Sequence, residues 1–261
     1  MVAKRKLENR NALITGASRG IGKAIATCFA EEGANLFICA RNVEPLEKAA
    51  TQIRRFGGKV VTHGADISNQ KSVQEMVKHA LKEFKQIDIL VNNAGIHIGR
   101  KFVDYSLDEF DQVIKVNLYG LFHVTQAVLP GMIAHKRGKI INIASTAGKW
   151  GSKNQSAYNA SKHAIVGLTR CIALEVGTFN ISVNAICPSL VETEETPFFK
   201  ERSEVLGISE EELRRNVIAQ HSIGRLVQPE GVAHLALYLA SDESDGMTAQ
   251  SILLCGGYLM V

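Results

Sequence analysis

The sequence lacks a C-x-x-C pair, an H-E-x-x-H motif or other metal-ligand spacing, and any apolar run near the ~20 residues that span a bilayer. Its five cysteines, Cys28, Cys39, Cys171, Cys187 and Cys255, are odd in number, and each stands in an apolar helix-like or strand-like context. Reduced thiols in a cytoplasmic protein are expected, and neither a metal centre nor a membrane partner is. The basic start, Met1 to Lys6, leads into Leu7-Glu8-Asn9-Arg10-Asn11 rather than the apolar region of a secretion signal. A linker, a charge block, a low-complexity tract and a fixed-period repeat are also missing. With 261 residues and 46% hydrophobic content, one large core in a single domain over 1–261 is expected. The 30 basic and 26 acidic residues are spread along the chain. That excess does not call for nucleic acid, although it would favour an anionic ligand.

What is present is alternation. Strand-like runs at 11–15, 35–40, 59–65, 87–92, 138–145, 182–187 and 251–254 are separated by helix-like stretches near 21–32, 45–56, 68–84, 106–135, 157–178 and 229–240. Each parallel crossover needs a covering element, so this order predicts an α/β fold: a doubly wound parallel sheet of about seven strands with helices on both faces. The ligand crevice of such a sheet lies at the carboxyl ends of its strands. The loops after Thr15, Ala40, Asn92, Ser145 and Cys187 open there.

The first of these loops, Thr15-Gly-Ala-Ser-Arg-Gly-Ile-Gly22, carries glycines at 16, 20 and 22 between a strand and a helix. Small residues there let the backbone turn tightly, approach a pyrophosphate and present amide donors. An unrelated glycine turn is the plainer alternative, but the strand-turn-helix placement favours a nucleotide. An NAD site usually has an acidic residue at the end of the second strand, and here Ala40 takes that place with Arg41 next to it. Arg19 adds a second guanidinium, and two permanent cations without a carboxylate favour the 2′-phosphate of NADP(H) over two merely solvated arginines.

Tyr158 and Lys162 stand at i,i+4 spacing, with Ser145 thirteen residues before the tyrosine. A phenol with a reference pKa of ~10 needs a nearby cation to exchange protons near neutrality, and one helical turn supplies it. The serine hydroxyl could hold a substrate oxygen meanwhile, which points to alcohol and carbonyl interconversion. Alone, the pair would be a half-buried tyrosine under a lysine stem.

The neighbouring motifs change that balance. Thr15-Gly-x-x-x-Gly-Ile-Gly22, Asp66, Asn92-Asn-Ala-Gly95, Asn117, Ser145, Tyr158-x-x-x-Lys162 and the run Pro188 to Thr193 follow in order, and over nearly its whole length the chain resembles the classical short-chain dehydrogenase/reductase family. The resemblance implies a Rossmann-type fold and a tetrad of Asn117, Ser145, Tyr158 and Lys162. Tyr158 would be the proton donor or acceptor, Ser145 would polarise the substrate oxygen, Lys162 would lower the tyrosine pKa and bind ribose, and Asn117 would hold a water. The resemblance further implies cofactor contacts from Gly16, Ser18, Arg19, Gly20, Ile21, Gly22 and Arg41. Asp66 and Ile67 would meet the adenine, Asn93 the adjoining ribose region, and Pro188, Val191 and Thr193 the nicotinamide end, with Ala94 and Gly95 also among the cofactor-binding residues. The structural alternatives are a simple turn at 92–95 and a packing role for Asn117. The family's usual Pro-Gly pair is Pro188-Ser189 here, so a positive φ at 189 would be costly.

From 189 to about 222 runs a polar insertion, equivalent to the family's substrate lid, with Glu192, Glu194, Glu195, Pro197-Phe-Phe199 and a helix signalled by the Ser209/Glu212 capping pair. Phe198 and Phe199 could wall an apolar pocket or anchor the lid. The stretches 145–151, 223–230 and 248–257 resemble ketoreductases of fatty-acid and aromatic polyketide synthesis, which implies NADPH-dependent reduction of a 3-oxoacyl thioester or similar carbonyl. The substrate would then be carrier-linked or CoA-linked, with Lys136, Arg137 and Arg170 as a docking patch near the site entrance or simply as solvated cations. Gly207-Ile-Ser-Glu-Glu suggests a 3-hydroxybutyrate dehydrogenase instead, against which stand Ala147, Gln155 and Arg41. Other small hydroxy acids, sugars or steroid-like alcohols are further alternatives, as is a non-catalytic nucleotide sensor. The apolar positions Leu121, Val124 and Leu168 suggest a homo-oligomer, and the resemblance favours a tetramer.

Overall fold

A computed structural model describes residues 5–193 and 198–261, without the side chains of residues 198, 201, 202 and 205. Expectations for Glu194, Glu195, Pro197 and the Phe198 side chain therefore lie outside the described residues. Seven parallel strands form one sheet in the order β3-β2-β1-β4-β5-β6-β7. They are β1 (Asn11–Thr15), β2 (Asn35–Ala40), β3 (Val60–Gly64), β4 (Ile89–Asn92), β5 (Gly138–Ile143), β6 (Ile181–Pro188) and β7 (Ser251–Leu254).

Successive strand residues point to opposite faces, and both faces of this sheet are apolar. Ile14, Ile38, Val91 and Ile141 bury into one layer with α1 (Gly20–Glu31), α2 (Val43–Ile53) and α9 (Pro229–Ala240). Their neighbours Leu13, Phe37, Leu90 and Ile140 bury into the other, with α3 (Gln70–Phe84), α5 (Gly120–His135) and α6 (Ser156–Val176). Burial on both sides explains why the strands read as continuous apolar runs. The order reverses at β1, which pairs with both β2 and β4, so a crevice opens beyond Thr15 and Asn92.

Three local differences from the sequence expectation have physical causes. The stretch 106–135 divides into α4 (Leu107–Ile114), a wide π-type turn over Lys115–Tyr119, and α5. Asn117 lies in that turn with its side chain bonded to Ile96, and such turns mark places where the helix ladder is interrupted. Strand β5 ends at Ile143 instead of Ser145, because Ser145 caps the short turn Thr146–Gly148. Beyond β6, α7 (Phe198–Leu206) precedes Gly207, whose φ of +67° stops the helix, and α8 (Glu210–Ala219) starts where Ser209 Oγ accepts from Glu212 N.

Leu121 and Val124 are buried in the core and Leu168 packs against it, so none of the three forms an outer apolar face. The helices turn inward there because the sheet takes their apolar positions; Tyr119, Phe122 and Leu174 are the exposed ones. No helix among the described residues is long and apolar enough to cross a membrane.

Candidate active site

At the carboxyl edge, the glycine turn interlocks with the loop after β4. Thr15 Oγ1 accepts from the backbone N–H groups of Asn93 and Ala94 at 3.0 and 3.1 Å, and Asn93 Nδ2 donates to the carbonyls of Thr15 and Gly16 at 2.9 and 3.0 Å. Asn93 therefore spends both amide protons on the scaffold, while the residue still borders the cleft. The interlock leaves no room at Gly22, where a Cβ would fall 2.3 Å from the Gly16 carbonyl oxygen and 2.4 Å from Asn93 Nδ2. Gly22→Ala is expected to destabilise the fold by about 1–3 kcal/mol, as overpacking does, and to abolish nucleotide binding. A thermal melt and a nucleotide titration check this, and an unchanged variant would refute the interlock.

Helix α1 begins at Gly20 with no side-chain cap and no acidic residue in its first turn, so its leading N–H groups can meet an anion. Thr193 packs over Gly20, 3.4 Å from where a Cβ would be. Ser18, Arg19, Ile21, Ala40 and Arg41 border the same cleft, which has a volume of about 2040 Å³. A cleft well above the ~300–1,000 Å³ of a drug-sized site has room for a dinucleotide and a second molecule. Asp66 borders it too, but its Oδ1 is engaged by Ser68 N and Oγ at 2.9 and 2.7 Å. Ile67 lies against Gly120, where a Cβ would be 2.5 Å from its Cδ1. Ala94, Gly95, Pro188 and Val191 complete this part of the wall.

Ser145, Tyr158 and Lys162 meet further along. Ser145 Oγ accepts from Ala147 N at 3.1 Å, so its own proton remains free to be directed at the Tyr158 hydroxyl or at a substrate oxygen. Tyr158 is half-buried; burial pushes its phenol above the usual range, and Ser145 pulls it partly back. The expected lowering by Lys162 is not seen: its Nζ lies 5.5 Å from the phenol ring centre and donates to the Ile143 carbonyl at 2.8 Å. Burial in turn pushes the Lys162 ammonium down to about 8.

Unfolded, that lysine keeps its proton up to about 10.5. Between the two values the unfolded chain binds a proton that the fold does not, so the contribution of Lys162 to stability rises with pH across that window. Relative to Lys162→Met, the wild type is expected to gain thermal stability from pH 8 to 10.5, and a flat difference would refute the assignment.

Asn117 sits outside the cleft wall, 2% exposed. Its carboxamide accepts from Ile96 N at 2.8 Å and donates to Ile96 O at 2.9 Å and Ser161 Oγ at 3.1 Å. The side chain therefore clamps the loop after β4 with both amide protons and one lone pair of Oδ1. Spacing alone did not reveal the buried ladder beneath, in which Asn92 donates to Thr125 and Asn142 and Asn142 donates to Thr169, each at 2.9 Å.

The far wall is aromatic. His97 meets the Tyr158 ring edge-on at 5.1 Å, and Trp150 meets Tyr258 at 5.4 Å. Phe199, Leu206, Leu213 and Val217 face the same space from α7 and α8. Glu192 ties this segment down by an ion pair to Arg214 and a 2.8 Å hydrogen bond from Gln228. Ser189 has no positive φ, which removes the expected strain. Ala147 and Gln155 both border the cleft and bring no cation to it.

The expected docking patch is elsewhere. Arg137 pairs with Asp242, as does Arg10 at the start of β1, and Arg170 reaches Ser251 at the start of β7. Lys136 and Arg137 immediately precede β5, so within one chain these cations lie at the amino edge of the sheet, opposite the cleft.

Residues 10–204 match the short chain dehydrogenase family. A 3-oxoacyl-[acyl-carrier-protein] reductase of Thermotoga maritima is 36% identical over 255 residues, spanning 98% of this chain and 100% of the relative. A crystal structure of a variant actinorhodin polyketide ketoreductase with NADPH superposes with a TM-score of 0.92 at 36% identity, over 95% of this chain and 97% of that one. An NAD+-bound xylitol dehydrogenase gives the same TM-score at 32% identity, over 97% and 100%. Fold, cleft and kinship over nearly the full length agree: the chain belongs to the short-chain dehydrogenase family.

Proposed function

We propose that the protein is an NADPH-dependent reductase converting a ketone to a secondary alcohol, with a 3-oxoacyl thioester or similar carbonyl as substrate. The observation that carries this is that Ser145, Tyr158 and Lys162 line one stretch of a cleft that continues into the glycine turn. When bound along the glycine turn, NADPH would supply the hydride. Tyr158 gives its proton to the carbonyl oxygen, which Ser145 holds, and Lys162 on the next helical turn faces the ribose side. Because burial raises the phenol, Tyr158 is protonated near neutrality, which is the state that reduction needs.

Arg19 and Arg41 border the adenosine end of the cleft with no acidic side chain at position 40, which supports a 2′-phosphate. The bound structures among the relatives divide between NADPH and NAD+, so residues of this chain carry the choice. Residues 189–222 are read as a substrate lid, with Leu206, Leu213 and Val217 toward the cleft. A panel of ketones and 3-oxoacyl thioesters assayed with NADPH tests the function; no turnover of any would sink it. Exposed Tyr119, Phe122 and Leu174 support a homo-oligomer, a tetramer foremost, and light scattering that found only the 28.4 kDa chain would exclude it.

A further inference from the structure

His221 lies just beyond α8, 3% exposed, and joins three segments. Its Nδ1 is 2.9 Å from the Val217 carbonyl, which can only accept, so Nδ1 carries the proton. Nε2 of the neutral ring is then an acceptor, and Ser189 Oγ, 3.0 Å away, donates to it. Tyr258 stacks on the imidazole with ring centres 5.1 Å apart and planes at 23°, and Trp150 packs edge-on against Tyr258. Ser189 is held from its other side as well, since its N–H donates to Leu254 O at 3.2 Å. It directly follows Pro188 at the end of β6 and borders the cleft.

We propose that His221 is a positioning residue that, through Ser189, sets the 188–193 loop for the nicotinamide half of the cofactor and couples that loop to α8. The inference rests on the cofactor reading above. Val217 faces the cleft from α8 while its carbonyl orients the ring, so a shift of the helix moves the acceptor that Ser189 depends on. The stack on Tyr258 prevents the ring from tilting away. A glycine at 189 would have no such link, which gives the serine a role.

The test compares Ser189→Ala, His221→Ala, the double variant, His221→Gln and His221→Asn in binding NADPH and 2′,5′-ADP, the latter a probe of the adenosine half only. One hydrogen bond is worth up to about tenfold, so each alanine variant is expected to weaken NADPH about tenfold while 2′,5′-ADP is unchanged. The double variant is expected to be no weaker than His221→Ala. Gln places an acceptor near the Nε2 position and is expected to recover binding; Asn, reaching only the Nδ1 position, is not. Additive losses, equal losses for both ligands, or unchanged NADPH binding would overturn the inference. Wild-type protein that binds neither nucleotide would instead sink the cofactor reading and this coupling with it.

Discussion

Tyr158→Phe is expected to lower ketone reduction by about 10³-fold, within the 10²–10⁴ that a positioned proton donor contributes, while NADPH binding stays nearly intact. The substitution removes one oxygen and keeps the ring, so the edge contact with His97 and the position over Lys162 survive. At most the interaction of the hydroxyl with Ser145 is lost, and the serine hydroxyl still has Ala147 N as a donor to it. Thermal stability should therefore fall by no more than about 1.5 kcal/mol, the usual upper value for one hydrogen bond. Single-turnover kinetics with NADPH and a fluorescence titration separate the two effects. Undiminished turnover would remove Tyr158 from the chemistry and return the non-catalytic nucleotide sensor as the better reading.

The same group predicts a direction. Reduction consumes the protonated phenol, whereas oxidation of an alcohol needs the phenolate. Burial raises the Tyr158 pKa, so the phenolate forms only at higher pH than for a free tyrosine. The rate of reduction should then hold near neutrality, while the rate of alcohol oxidation climbs as pH rises; rate–pH profiles in each direction check this. The downward push on Lys162 acts in the same sense, since its ammonium is progressively lost above about 8 and with it the charge that would favour a phenolate.

Much of this arrangement was legible in the sequence because it is local or periodic. The strands β1, β2 and β7 fall on the residues expected from apolar runs and glycine breaks, and for β1 and β2 burial on both faces requires such a run. Tyr158 and Lys162 share a face by helical spacing alone. What the sequence did not disclose depends on contacts across long separations. The motif gives Asn93 a place at the cleft but not its scaffold role, in which its amide protons go to Thr15 and Gly16, 78 and 77 residues earlier. The pairing of Ser189 with His221 crosses from a sheet edge to a helix end over 32 residues. Lys136 and Arg137 were misplaced for a related reason: composition identifies cations, but only strand direction says which edge of the sheet they occupy.

Arg41→Asp is expected to change the ratio of NADPH to NADH efficiency by about 100-fold or more in favour of NADH. Arg41 follows the last residue of β2 and is exposed where the cleft borders Ala40 and Asn42, so its guanidinium is available to a 2′-phosphate. Hydrogen bonds to charged groups contribute about 1.5–3 kcal/mol, which alone is roughly 10- to 100-fold. The new carboxylate adds repulsion against the phosphate and offers an acceptor to the free ribose hydroxyls, so the two effects push the same way. Arg41 takes part in no ion pair among the described residues, and the substitution should leave the fold unaffected. Arg19, on the glycine turn, remains in the variant and would retain part of the phosphate affinity, so NADPH use should fall without vanishing. Steady-state kinetics with both nucleotides on one ketone measure the ratio. A preference that stayed with NADPH would move the phosphate site to Arg19 and its neighbours, and a wild type that already preferred NADH would end the two-arginine argument altogether.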